Sequence, residues 1–170
     1  MQTQFYTLPD GDPAQTLATV ARMKALAVAG AMTPAVRHVA AFLVNGLGRD
    51  QLAYAEAIAG FIAQHTRFLY DPSVAEALVP AEATLELIDQ LGVAQIDCDD
   101  VAILAAALAM SVGLRARFVV VAFLTPDATY EHIWAELSDA DGLEWLPVDP
   151  SRPIVGLPPV VRPPLVVEVA

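Results

Sequence analysis

Gln95-Ile96-Asp97-Cys98-Asp99-Asp100-Val101-Ala102-Ile103-Leu104-Ala105-Ala106-Ala107-Leu108 is the stretch from which the rest of the chain is read. It opens as an acidic turn, carries the single cysteine of 170 residues, and runs into a long apolar, alanine-rich helix. Asp97 fits the N-cap, which puts Cys98 at the first helical position and Asp100 at the third, as a capping-box partner. A thiol there faces unpaired backbone N–H groups and the positive end of the helix dipole, and both favour the thiolate. The backbone N–H of Cys98 itself can serve as an oxyanion donor. Asp97, Asp99 and Asp100 act in the opposite sense, because like charges disfavour a thiolate. The reading expects these acids to be taken up by capping and by pairing with Arg115, Arg117 or others. The bland alternative is a buried cysteine acting as a small hydrophobe.

Downstream, Gly113 is the expected terminator of the cysteine helix. Residues 116–124 are β-branched and aromatic, as in a central strand covered on both faces. Residues 131–137 and 143–149 alternate apolar with polar, and Asp139-Ala140-Asp141-Gly142 between them reads as a hairpin turn. On the first of these strands His132 shares a face with Trp134 and Glu136. Asp149 closes the second strand, just before Pro150. The arms from Leu137 back to His132 and from Leu143 out to Asp149 are nearly equal in length. The hairpin therefore brings the carboxylate to the imidazole, where it can fix the tautomer as a triad acid does. The structural alternatives are a satisfied strand histidine and a turn aspartate before proline.

Upstream the chain reads as helices. Residues 1–12 are expected to be an extended arm. Asp12-Pro13 starts helix one, Thr33-Pro34 starts helix two, and Asp50 caps helix three. Gly30 is expected to end the first, and Gly46 and Gly48 the second. The stripe of helix three is Leu52, Ala55, Ile58, Ala59 and Ile62, with Phe61 and Phe68 adding aromatic bulk. Leu69-Tyr70-Asp71-Pro72 breaks it. Residues 81–91 form a short helix ended by Gly92. Helices first and an antiparallel sheet last is an α+β order. The domain is expected over 13–152, helical over 13–113 and sheet over 115–152. A Pro-rich C-terminal extension follows over 153–170, whose last apolar piece, 165–169, adds an edge strand or docks on a neighbouring chain.

Hydrophobic residues make up 56% of the chain and charged residues 17%, with a net charge of −11. That balance implies extensive burial and weighs against nucleic acid and anionic lipid surfaces as partners. One cysteine makes no internal disulfide. With no signal-peptide pattern and no apolar run of spanning length, a soluble cytoplasmic protein is expected. His38 and His65 lack partners at metal-ligand spacing and read as surface or packing residues. No zinc cluster, phosphate loop or serine elbow is present in the pattern, so neither a metal nor a cofactor is expected.

Three ordered blocks carry a resemblance. They are Asp97-Cys98-Asp99-Asp100 with its helix and the following Gly113-Leu114-Arg115-Ala116-Arg117-Phe118, then His132-Ile133-Trp134-Ala135-Glu136, then Trp145-Leu146-Pro147-Val148-Asp149-Pro150. Over residues 50–152 the chain resembles the transglutaminase-like superfamily of papain-like cysteine enzymes. Phe68-Leu69-Tyr70-Asp71-Pro72 looks like that family's aromatic-Asp segment. The resemblance implies a papain-like α+β core in which N-terminal helices and a central cysteine-bearing helix pack on an antiparallel sheet. It implies Cys98 as nucleophile, His132 as base and Asp149 as orienting acid, acting on a protein or peptide amide through a thioester. Gln95, Tyr70 and Trp134 are the candidates for oxyanion or substrate contacts. Family members usually carry Gly where this chain has Ile96, which is expected to narrow or reshape the cleft. The layout looks most like small members encoded in tailed-phage and prophage structural modules. That implies a second expectation, a catalytically silent fold serving virion assembly, with other phage structural proteins held by the Pro-rich extension.

Overall fold

The computed structural model describes residues 4–6, 13–69, 76–122, 132–149 and 164–169. Helix α1 spans Pro13–Ala31 and begins on its proline, where the missing N–H is no loss; Asp12 lies outside the described residues. It runs one residue past Gly30. Helix α2 spans Pro34–Leu43, with the Thr33 hydroxyl accepting the Val36 N–H at 3.4 Å. It stops short of Gly46, whose φ of 86° suits the turn that follows. Helix α3 spans Gln51–His65, with Asp50 accepting the Ala53 N–H at 3.1 Å. Ala55, Ile58 and Ile62 are its buried stripe. Leu52, expected in that stripe, sits in the first turn and is 48% exposed.

The sequence reading carries helix three on to Phe68, but α3 ends at His65. Thr66 donates its hydroxyl back to the Ile62 carbonyl at 2.8 Å and turns extended, which opens strand β2, Thr66–Phe68. Phe68 is therefore a strand residue. After strand β3, Glu76–Leu78, and helix α4, Ala81–Leu91, comes strand β4, Ala94–Ile96. β4 lies parallel to β2, with Thr66 opposite Ala94 and Phe68 opposite Ile96. The extended arm also gains a partner, because strand β1, Gln4–Tyr6, pairs antiparallel with β3. These strands of three residues carry no period long enough to read, and only the tertiary fold supplies their partners.

Helix α5 spans Cys98–Ser111, with Asp97 as its N-cap, and Gly113 follows with φ 82°. Residues Ala102 to Ala109 are all fully buried. A run of alanine suits a central helix that must be approached closely from several sides: α1, α2, α3, α4, β5 and β6 all pack on it. Gly30 marks the tightest approach, since a Cβ there would lie 3.1 Å from that of Ala81 and 3.4 Å from that of Ala107.

The sheet that covers α5 has strands β5, Arg115–Val121; β6, His132–Ser138; β7, Trp145–Val148; and β8, Leu165–Glu168. Their order is β7-β6-β5-β8, antiparallel throughout. β5 is central, as its composition implies; Phe123 and Leu124 lie outside the described residues. β8 is an edge strand of this sheet, and the Val169 N–H reaches the Ala116 carbonyl at 2.9 Å. Of the two roles the sequence reading offered for 165–169, an edge strand or a segment docked on a neighbouring chain, residues 165–168 take the first. The β6–β7 hairpin turns on Gly142, with φ 70°, where a side chain would also collide with the Arg115 guanidinium. The chain is a mixed α+β domain of five helices and an antiparallel sheet among the described residues. No single described helix is long and apolar enough to cross a membrane.

Candidate active site

The first turn of α5 assembles as its sequence implies, with one change. Asp97 accepts the Asp100 N–H at 3.3 Å, which is the expected N-cap bond. Asp100 was read as the reciprocal capping-box partner. Its carboxylate also takes on a role the sequence reading did not include: it accepts the Val79 N–H at 2.7 Å, tying the helix start to the residue after β3. Both side chains are buried. The arginines expected to pair with these acids are engaged elsewhere: Arg115 reaches Glu168 at 3.5 Å and Arg117 reaches Glu136 at 2.6 Å. Both arginines lie on β5, and Arg117 sits directly opposite Glu136.

Cys98 is partly buried. Its S–H donates to the Asp99 carboxylate at 3.4 Å, and its sulfur accepts the backbone N–H of Ile133. Ile133 is the neighbour of His132 on β6. β7 pairs with β6 only as far as Ala135 opposite Val148. The sulfur is thus bonded to a part of β6 that lies beyond the end of that pairing.

The helix terminus does not make this thiol acidic. Burial pushes it far above its ordinary range, and the charges of Asp99 and then Asp97 raise it further. The Ile133 N–H works the other way, and the S–H bond to Asp99 adds to the rise. The resting group at neutral pH is a thiol. The sequence shows the acids; it does not show that they are buried with the sulfur.

His132 and Asp149 meet, but not through the equal arms the sequence reading counted: β7 begins at Trp145, Leu137 pairs with Leu146, and Asp149 follows directly on the last pair, Ala135 with Val148, from where it reaches back diagonally to His132. Nε2 lies 2.6 Å from Oδ2, and both side chains are 3% exposed. A charged carboxylate at that distance holds the imidazole proton on Nε2, which leaves the basic lone pair on Nδ1. Trp134 flanks the ring, with centroids 5.9 Å apart, and its indole N–H donates to Glu136 at 3.3 Å. Glu136 accepts from Arg117, whose guanidinium lies 4.0 Å from the Trp145 ring centroid. A line of partnered side chains therefore runs from the imidazole to the hairpin turn, where Trp145 donates to the Gly142 carbonyl at 3.1 Å. The shared face of His132, Trp134 and Glu136 was read from the alternation of β6. The part played here by Arg117 and Trp145 was not, and the available signal was the cross-strand placement of a cation and an aromatic.

The remaining candidates fall out differently. Gln95 is exposed on β4. Tyr70, like Asp71 and Pro72, lies outside the described residues. Ile96, expected to narrow or reshape the cleft, is 4% exposed and belongs to the apolar core. β4 alternates, so Ala94 and Ile96 face inward while Gln95 faces out. His65 bonds the Gly92 carbonyl at 3.0 Å and stacks on Phe61 with centroids 4.8 Å apart. His38 and His65 line a groove of about 550 Å³ between α2 and α3, and Cys98, His132 and Asp149 are not among its lining residues.

A family model described as the transglutaminase-like superfamily matches residues 37–150, about two thirds of the chain. The match runs from α2 to the residue after Asp149, so it takes in α5, β5, β6 and β7. No curated protein and no solved structure matches.

Proposed function

We propose, from the premise that this chain belongs to the transglutaminase-like superfamily, that it is a cysteine-dependent amide hydrolase or acyl transferase using Cys98, His132 and Asp149. The observation that carries this reading is the buried His132–Asp149 pair at 2.6 Å, on the strand whose next residue bonds the Cys98 sulfur. A buried imidazole held in one tautomer by a carboxylate is an expensive arrangement to maintain for structure alone, and it is what a general base needs.

His132 Nδ1 takes the Cys98 proton as the sulfur attacks an amide carbonyl carbon. The C–S bond forms and the carbonyl pair moves onto oxygen, near the backbone N–H groups that open α5. Collapse breaks the C–N bond, and the imidazolium gives its proton to the leaving amine. A thioester remains. Water, deprotonated by the same imidazole, releases the acid; an amine in its place gives transfer. The raised thiol implies that proton transfer accompanies attack and that no thiolate–imidazolium pair stands ready beforehand.

The test uses p-nitrophenyl acetate as an acyl donor. We expect a burst of nitrophenolate with acetyl carried on Cys98, seen by mass spectrometry, and a strongly slowed burst in His132→Ala. Equal acetylation of wild type and His132→Ala would overturn the reading.

A second reading has its own support. The thiol held protonated by burial and by Asp99 suits a silent member of the superfamily. The resemblance to phage and prophage proteins would give that member a role in virion assembly. It requires Cys98→Ala to fold and to keep the biological function, and loss of function in a folded Cys98→Ala protein would exclude it.

A further inference from the structure

We infer that Asp99 is a positioning residue that holds the Cys98 proton on the α5 side of the site, in competition with His132. This rests on the proposed role of Cys98 and deepens it.

The three acids at this helix start are used differently. Asp97 and Asp100 place carboxylate oxygens on backbone N–H groups, the one of Asp100 and the other of Val79. Asp99 places one on the thiol itself, at 3.4 Å. An acid in the first turn stabilises a helix from the surface just as well. Here Asp99 is 8% exposed, and its charge lies where a developing thiolate would lie. The sulfur is gripped from two sides. From β6 the Ile133 N–H donates to it, which favours negative charge on sulfur; from α5 the Asp99 carboxylate accepts from it, which favours the proton staying. Among the described residues, the titratable groups named at the start of α5 and at the His132 end of β6 are Asp97, Asp99, Asp100, His132 and Asp149.

For attack, the S–H bond must turn from the carboxylate to the imidazole. Rotation about Cβ–Sγ re-aims the hydrogen away from Asp99. Asp99 therefore sets how often the nucleophile is available, without itself taking the proton. The consequence is an enzyme slow toward adventitious electrophiles, whose thiol is released when the charge on Asp99 is neutralised.

The test is alkylation of the full chain by iodoacetamide, a neutral reagent, followed against pH. There is one cysteine, so the adduct reports Cys98 alone. Asp99→Asn keeps size and a hydrogen-bond acceptor but removes the charge. We expect its alkylation at pH 7 to rise at least roughly tenfold and the midpoint of its pH profile to fall by about one unit. Asp99→Glu, which keeps the charge, should stay slow. An unchanged midpoint in a folded Asp99→Asn protein overturns the inference. If that variant does not fold, the S–H stretch of the wild-type protein decides. A Raman band shifted down by hydrogen bonding to a carboxylate supports the inference, and a free-thiol or absent band at pH 7 overturns it. Neither readout depends on turnover. A shifted midpoint without any acyl burst would retain Asp99 in this role and refute the enzymatic reading, and the reverse result would do the opposite.

Discussion

β6 presents two faces to two different environments. Ile133, Ala135 and Leu137 lie in the core that surrounds α5, with at most 4% of any of them exposed. His132, Trp134 and Glu136 lie on the other face, each joined to a named partner: Asp149, Glu136 and Arg117 in turn. The first face is held by area removed from water, which is non-directional and tolerates exchange of shapes. The second is held by directional bonds, each of which is lost outright when its partner is changed. One strand thus anchors the fold with one set of alternate residues and presents the candidate chemistry with the other. The cysteine stands where the two regimes meet, on a core helix but bonded to the strand.

The comparison is sharpest at Asp149. Asp149→Asn preserves shape while removing the charge that holds the imidazole tautomer. We expect acetylation of Cys98 by p-nitrophenyl acetate to fall by roughly 10³–10⁴-fold. The measurement is the burst rate, with a thermal melt alongside; a rate within a few-fold of wild type would detach the acid from the proposed mechanism.

Leu137→Ala probes the opposite face, two turns of the pleat away from the imidazole. The side chain is fully buried. Its truncation should cost about 2–5 kcal/mol in urea unfolding. The burst rate of the molecules that remain folded in the cold should be unchanged. A large loss of rate without loss of stability would mean that the two faces are coupled and not separable.

At the junction, the raised thiol makes a prediction about pH. Above the ordinary thiol range of about 8.5 the unfolded chain sheds the Cys98 proton while the folded chain retains it. Protons bound then fall first in the unfolded state, so stability declines as pH rises, by up to about 1.4 kcal/mol per pH unit from this group. Cys98→Ser removes that contribution. The difference in unfolding free energy between wild type and Cys98→Ser should therefore be flat from pH 6 to 8 and drift against the wild type from pH 9 to 10. A flat difference throughout would mean that burial and Asp99 do not hold the proton.

Arg117→Met should have the smallest effect. It retains the stem over Trp145 and removes the bond to Glu136, a partly buried pair with 26% and 16% of the two side chains exposed. We expect a loss of about 1 kcal/mol in stability and a fall of a few-fold in burst rate, through a less restrained Trp134. A rate unaltered in a protein of reduced melting temperature would confine this line of side chains to structure.

Much of this was legible because it is local. A cap is a bond between residues three apart, so Thr33, Asp50 and Asp97 announce their helices in a short window. The hairpin is equally local in its turn, which Gly142 marks, but its register is not: Leu137 pairs with Leu146, three residues beyond the count from Leu143, and Asp149 reaches His132 diagonally. The bond from the Val79 N–H to Asp100 was not legible, because Val79 lies 21 residues away in sequence and only the fold brings it there. Phe68 was misplaced because Thr66 reads equally well as the last turn of a helix or the first residue of a strand until β4 lies beside it.

What the sequence determined by itself is the set of periods, caps and turns, and with them an α+β order in which cysteine, histidine and aspartate arrive on a helix start and a hairpin. Each of these depends on hydrogen bonds and side-chain directions within a few residues. What only the tertiary structure decided is the environment. It turned Ile96 into the core, sent Arg115 and Arg117 to other acids, and closed Asp97 and Asp99 in with the sulfur. Burial and charge act through space, and the same acidic turn that would leave a thiol reactive in water holds it protonated once the water is gone.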